Sequence, residues 1–261
     1  MKIKEIVDAL ERFAPLPLQD GFDNAGMQIG LTEAEATGAL LCLDVTEEVV
    51  DEAIETGCNL IVSHHPLIFK GVKSITGKDY VERCIMKAIA NGIVIYSAHT
   101  NLDNARGGVN FKMAEKLGLK DVRVLEPKEW KDGEAGAGVT GVLERPETET
   151  GFLTRLKETF GAGCLKHGRL TGRTIQKVAL CGGSGAFLMG KAQEEGADVF
   201  VTGEVKYHDY FYYDGALLVA EIGHYESEQY TKEIFYSIIR DMFPGLDIRM
   251  TRVNTNPIKY L

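Results

Sequence analysis

The sequence predicts an α/β protein built from two copies of one α-β-β-α-β-α-β pattern. Short apolar runs alternate with amphipathic helical stretches, as parallel strands joined by helices require. Residues 39–66 can be laid beside residues 178–206, both reading strand, turn, helix, glycine, strand, polar tip. A length of 261 residues with 44% apolar content supplies core for one large or two ordinary domains.

The elements follow in order. Ile3, Ile6, Val7, Leu10 and Phe13 share a helical stripe that Pro15 and Pro17 end. A short apolar piece at 27–29 precedes a buried strand at 39–43. Thr46 then caps a helix carrying Val49, Val50, Ala53 and Ile54, and Gly57 stops it. A strand at 60–62 runs into Ser63-His64-His65-Pro66; a helix at 80–90 closes at Asn91-Gly92; a strand at 93–96 runs into Ala98-His99-Thr100. The second half repeats this with a helix at 152–160, strands at 164–166 and 178–181, a helix at 187–195, a strand at 198–202, a short helix at 207–213 and a strand at 216–222 reaching Gly223-His224. Residues 126–149, with Pro127, Gly133, Gly136, Gly138, Gly141 and Pro146, read as a connector, with 139–143 a candidate strand inside it. This divides the chain into 1–125, 126–149 and 150–261. After His224, Tyr230, Ile234, Ile238 and Met242 share a helix face that Phe243-Pro244-Gly245 ends. Residues 246–251 form a last strand for an edge of either sheet.

A count of 29 Lys and Arg against 38 Asp and Glu, net charge -9, argues against a general binder of nucleic acid or anionic membrane. Five cysteines without a C-x-x-C pair, an N-terminus that mixes charge with apolar residues, and no apolar run of membrane-spanning length point to a cytoplasmic, unexported protein.

The chemistry-bearing residues gather at strand ends, where open α/β sheets place ligands. Adjacent His64 and His65 point to opposite sides of an extended chain, an arrangement suited to two neighbouring ions. His224 and Glu228 stand four apart at a predicted helix start and can grip one metal from one face. His99 and Asp103 have the same spacing ahead of Gly107-Gly108, and Asp103 serves equally as a ligand or as a capping residue. Imidazole and carboxylate without thiolate suit Zn, Fe, Mn or Ni, and two ions need a bridging group, for which a carboxylate on the last helix is suited. Cys181-Gly182-Gly183-Ser184-Gly185 reads as a tight turn, and His167 beside Lys166 and Arg169 as solvated surface. Lys206-Tyr207-His208-Asp209-Tyr210 suits substrate contacts or a local hydrogen-bond cluster equally, and Asp23-Asn24-Ala25-Gly26 reads as a turn.

With these motifs, together with His99-Thr100-Asn101-Leu102-Asp103, Thr202-Gly203-Glu204 and Gly223-His224-Tyr225-Glu226-Ser227-Glu228, essentially the whole chain resembles the GTP cyclohydrolase I type 2 homolog family of dinuclear-metal-centre, NIF3-like proteins. The resemblance implies two intertwined α/β repeats with mixed sheets and a toroidal homohexamer whose metal sites face an inner cavity. It places two divalent ions per chain on His64, His65, Asp103, His224 and Glu228, with Glu228 bridging. The short connector makes this the compact form, without the extra middle domain of some relatives.

The leading function is a metal-dependent hydrolase; for GTP, metal-activated water would attack C8 of the purine, open the imidazole ring and release formate. His99 and His208 are candidate proton shuttles, and Asp23, Asn24, Glu204 and Tyr207 candidate substrate contacts. A phosphoester or amide would use the same ions. The rival reading is a non-enzymatic metal-holding scaffold, distinguished by whether a coordination position stays open. The crowding of Tyr207, Tyr210, Phe211, Tyr212 and Tyr213 in one short segment also favours self-association.

Overall fold

A computed structural model describes residues 1–131 and 133–261. In chain order the elements begin with α1 (Ile3–Phe13), β1 (Gly26–Ile29), β2 (Ala39–Cys42), α2 (Glu47–Thr56), β3 (Leu60–Ser63), α3 (Tyr80–Ala90), β4 (Val94–Ser97) and α4 (Thr100–Asn104). They continue with α5 (Val109–Lys116), β5 (Lys120–Pro127), β6 (Gly136–Thr148), α6 (Glu149–Phe160), β7 (Lys166–His167), β8 (Thr174–Cys181), α7 (Met189–Glu194), β9 (Val199–Thr202) and β10 (Leu218–Glu221). The last are α8 (His224–Glu228), α9 (Thr231–Met242) and β11 (Ile248–Met250). Two compact units result, Met1–Leu102 with Thr231–Pro257 and Asp103–Tyr230 with Ile258–Leu261, so the chain leaves each unit and returns to it.

The first unit holds a mixed sheet of order β1-β4-β3-β2-β11, in which only β1 runs antiparallel to its neighbour. Strands β2, β3 and β4 are buried at every residue, as parallel strands covered on both faces must be. Helix α2 starts where the Thr46 hydroxyl accepts the Val49 N–H and stops at Gly57, whose φ of 72° is left-handed. Its Val49, Val50 and Ala53 pack with Leu40, Ile61, Cys84, Ile85 and Ile95 into one core. The final strand of the chain joins this unit, with β11 parallel to β2.

The second unit holds a mixed sheet of order β5-β6-β8-β9-β10-β7. Along β8, Val178 and Leu180 enter a core with Phe152, Phe160, Val199 and Leu218, while Ala179 and Cys181 enter another with Leu188, Phe200 and Val219. The two-residue alternation thus fills both faces.

The internal repeat is visible in strand order, β1-β4-β3-β2 matching β7-β10-β9-β8, with β1 and β7 the antiparallel edge in each. It holds residue by residue: Ala39, Leu60 and Val94 stand in register in one sheet, and Val178, Val199 and Leu218 in the other.

The connector expected at 126–149 is instead largely the 13-residue strand β6, paired with both β5 and β8, so the units do not divide there; residue 132 lies outside the described residues. Its glycines serve close approach and not slack. A Cβ on Gly138 would meet Leu188 at 2.6 Å, and one on Gly141 the Lys120 carbonyl at 2.9 Å. The expected strand at 139–143 is inside β6, whereas β5 carries no clear alternation and was not anticipated. The helix expected at 187–195 is a 3-10 turn at Gly185–Leu188 followed by α7, and that expected at 207–213 is a 3-10 segment, Tyr207–Tyr213. Among the described residues no helix is long and apolar enough to cross a membrane.

Candidate metal centre

In the first unit, two neighbouring strand tips carry three histidines. β3 ends at Ser63 and β4 at Ser97; their hydroxyls lie 2.8 Å apart and tie the tips together. His64 and His65 follow β3, and both backbone N–H groups donate to the Leu43 carbonyl. That departure from extended pairing is why the two rings do not splay to opposite sides as strand alternation predicts: their centroids are 5.0 Å apart. His99, following β4, closes the group at 5.2 Å from His64 and 5.4 Å from His65. One potential ligand atom from each of the three lies within 4.8 Å of the others.

Each ring is held from behind at Nδ1. His64 Nδ1 is 2.8 Å from the Ala98 carbonyl, His65 Nδ1 2.7 Å from Asp44 Oδ1, and His99 Nδ1 2.7 Å from Asp23 Oδ1. A carbonyl or carboxylate oxygen accepts, so in the neutral imidazoles Nδ1 carries the proton and Nε2 the lone pair. Burial works against ionising Asp23, but hydrogen bonds from His99 and Thr100 outweigh it and hold its pKa at about 2. Asp44 is likewise held below the ordinary carboxylate range against its burial, by His65 and the Thr255 hydroxyl at 2.6 Å.

Asp23 and Asn24, expected at a substrate, are engaged within the protein. The Asp23 side chain is 0% exposed and accepts from His99 and Thr100; the Asn24 amide donates to the Ile68 carbonyl at 2.6 Å. Phe69 stands edge-on to His99, centroids 6.0 Å apart.

In the second unit, Gly223 turns the chain at φ 100° into α8, which puts His224 Nε2 3.0 Å from Glu228 Oε2, the expected four-residue pairing. Glu204 follows β9 and places Oε1 3.0 Å from His224 Nδ1, while its other oxygen accepts the Ser184 hydroxyl at 2.8 Å. Glu204 therefore orients a histidine directly. The glycine turn after β8 gives Glu228 its room, because a Cβ on Gly183 (φ 57°) would lie 2.2 Å from Glu228 Oε1. Ser227 fixes the same turn by accepting the Gly183 N–H. Asp103 is tied to it as well: Asn110 donates to the Asp103 carbonyl and accepts the Gly182 N–H at 2.9 Å. Tyr207 and His208 lie on an exposed aromatic segment with Phe211, the His208 ring 5.2 Å from Tyr207. His167 is exposed, as expected.

Sequence reasoning gave no role to Asp44, Asn110 or Thr255 and read Ser184 only as part of a tight turn. Asp44 had a signal, for it stands two residues past β2 as His65 does past β3 and His99 past β4, at the same sheet edge. Imidazoles with fixed tautomers, ionised carboxylates and no thiolate suit divalent ions of the Zn, Fe, Mn or Ni type, so the residues fit such a group.

Two mixed sheets that repeat one strand order and bear histidines and carboxylates at their strand ends define the class. The family model of Duf34/NIF3 (NGG1p interacting factor 3) matches residues 1–257, and the chain belongs to that family. It is 38% identical over 229 residues to a Clostridium perfringens protein, covering 87% of each, and 34% identical over 262 residues to one from Lactococcus lactis, covering 98% of each. Both relatives are called GTP cyclohydrolase 1 type 2 homolog. Among solved structures, a Staphylococcus aureus protein superposes with a TM-score of 0.91 at 29% identity, covering 100% of this chain and 99% of that one. A Bacillus cereus protein related to NIF3 gives 0.90 at 25%, with the same coverage.

Proposed function

We propose that the chain is a dinuclear, divalent-metal-dependent hydrolase of the GTP cyclohydrolase type 2-like kind. His64, His65, Asp103, His224 and Glu228 would hold the two ions, with Glu228 the carboxylate they would share. The observation that carries this reading is the histidine trio whose Nδ1 atoms are all engaged by acceptors, so that in each neutral ring Nε2 carries the lone pair, offered to metal by His64 and His65 and to a proton by His99. The relatives' name points the same way. When bound, such ions would supply a water activated near neutral pH and polarisation of the bond under attack. The protein's part is to fix the tautomer and aim of His99 and His65 through Asp23 and Asp44, and to hold His224 through Glu204. His99, backed by Asp23, is the better placed of the two proton-shuttle candidates, since it stands among the other histidines, whereas His208 lies with exposed aromatics.

Exposed Tyr207, Phe211 and Tyr212 on one segment support self-association, and the proposed state is a homohexamer; a monomeric mass in light scattering would remove it. Five free thiols, four of them buried, support a cytoplasmic location.

The test is incubation of metal-loaded protein with GTP and a panel of phosphoesters and amides, with product identification. Ring-opened nucleotide and formate are expected from GTP. Turnover of only another substrate would move the assignment to that class, and turnover of none would leave the metal-holding scaffold.

A further inference from the structure

A cleft of about 470 Å³ begins at Pro66, immediately after the paired histidines, and is lined among others by Phe69, Lys70, Lys73, Lys78 and Tyr80. Its volume lies in the range of small-molecule sites. Residues 70–78 carry three lysines and no acid in a chain whose net charge is -9. Lys78 is partly committed, with Nζ 3.1 Å from Glu82 Oε1. Lys70 and Lys73 have no carboxylate within ion-pair distance among the described residues, so their charges face the cleft uncompensated.

The acids in the wall are already occupied. Asp79 accepts the Glu82 N–H as the cap of α3, and Glu82, buried, accepts the N–H groups of Thr76 and Lys78 and the Thr76 hydroxyl. Those bonds anchor one end of the lysine-bearing loop. They also leave anion recognition in the cleft to the lysines and not to the helix terminus.

Two aromatic rings complete the wall. Tyr80 is 55% exposed and Phe69 43% exposed, and Phe69 is the ring that stands edge-on to His99. The cleft therefore shares a wall residue with the histidine trio.

We infer that this cleft binds a small phosphate-bearing aromatic ligand of the nucleoside-phosphate class, with phosphates on Lys70 and Lys73 and the ring against Phe69. This deepens the hydrolase reading, on which it depends only for the expectation that the ring end reacts. Ammonium groups bind phosphate by charge-assisted hydrogen bonds, and an aromatic wall accepts a base by stacking.

The test compares metal-loaded wild type with Lys70→Ala/Lys73→Ala and Lys70→Gln/Lys73→Gln, using GTP, inorganic tripolyphosphate and guanosine as probes. Both variants alter exposed side chains, and their melting temperature and metal content serve as controls. Loss of two such contacts should raise Kd for GTP and tripolyphosphate by about tenfold or more and leave guanosine unchanged. Equal binding by wild type and variants, or no binding of either phosphate probe by wild type, overturns the inference. Tighter lysine-dependent binding of a single-stranded oligonucleotide than of GTP would overturn it in favour of nucleic acid. Lysine-dependent binding of GTP without turnover would sink the hydrolase reading and leave the cleft standing. Turnover of GTP that ignores both lysines would do the reverse.

Discussion

Asp23 and His99 form a part-buried carboxylate–imidazole pair, Oδ1 to Nδ1 at 2.7 Å, and Asp44 and His65 repeat it at the same distance. The two acids come from different elements, Asp23 from the loop before β1 and Asp44 from the tip of β2, yet each engages a histidine at Nδ1. Such partners set both the tautomer and the ring angle of a ligand.

Asp23→Asn and Asp44→Asn retain size and an acceptor oxygen but remove the charge. Asp44→Asn, behind the ligand His65, should weaken metal binding by roughly 10- to 100-fold, the usual cost of losing such a partner, whereas Asp23→Asn, behind His99, should leave metal affinity near that of wild type and slow turnover. Competition titration against a chelating dye measures it, with circular dichroism as the control for fold. Unchanged affinity in Asp44→Asn would show that His65 takes no part in holding metal, and a loss confined to Asp23→Asn would make His99 a ligand and not a proton shuttle.

Removal of metal should lower stability, because ions that bind the folded chain and not the unfolded one shift the equilibrium by mass action. At a free ion concentration 100 times Kd the gain is about 2.7 kcal/mol. A melting temperature that does not move between chelator-treated and metal-reconstituted protein counts against any tight site.

The repeat was legible because parallel strands buried on both faces leave continuous apolar runs, and β2, β3, β4, β8, β9 and β10 all have them. The i,i+4 pairing of His224 and Glu228 was legible for the same reason that helix spacing is: it is local. Asp23 was not, since its partner His99 lies 76 residues away and nothing in Asp23-Asn24-Ala25-Gly26 distinguishes a buried anchor from a turn. The glycines of β6 misled because a glycine needed for close strand packing and one in a slack linker look identical in a sequence.

Glu82 makes acid stability testable away from the metal centre. Hydrogen bonds led by the Thr76 N–H lower its pKa from 4.5 to about 2 in the folded chain. A lowered carboxylate contributes stability that is full above the unfolded pKa and is lost as pH falls from there through the folded pKa. Between about pH 4.5 and 2, wild type should therefore lose stability more steeply than Glu82→Gln, which should be less stable at pH 7. Melting temperatures of both proteins across that window decide it, and parallel curves would show that the fold does not lower the Glu82 pKa.

The position of Glu228 depends on a glycine. At Gly183 the backbone has φ 57°, and a Cβ there would fall 2.2 Å from Glu228 Oε1. Gly183→Ala should thus act twice, through backbone strain of about 1–2 kcal/mol and through displacement of the carboxylate. Glu228→Gln removes charge without displacement. A bridging carboxylate offsets the repulsion of two like-charged ions, whereas a terminal ligand serves one, so Glu228→Gln should lose at least one ion and Asp103→Asn should leave the other site more nearly filled. Gly183→Ala should resemble Glu228→Gln in metal content but melt lower, since strain is added to the loss of a ligand. Metal analysis and melting temperature on the three variants separate these cases. If Glu228→Gln keeps both ions while Asp103→Asn loses both, the bridge belongs to Asp103. If Gly183→Ala melts lower yet binds metal like wild type, the turn is structural and Glu228 does not need that space to reach its ions.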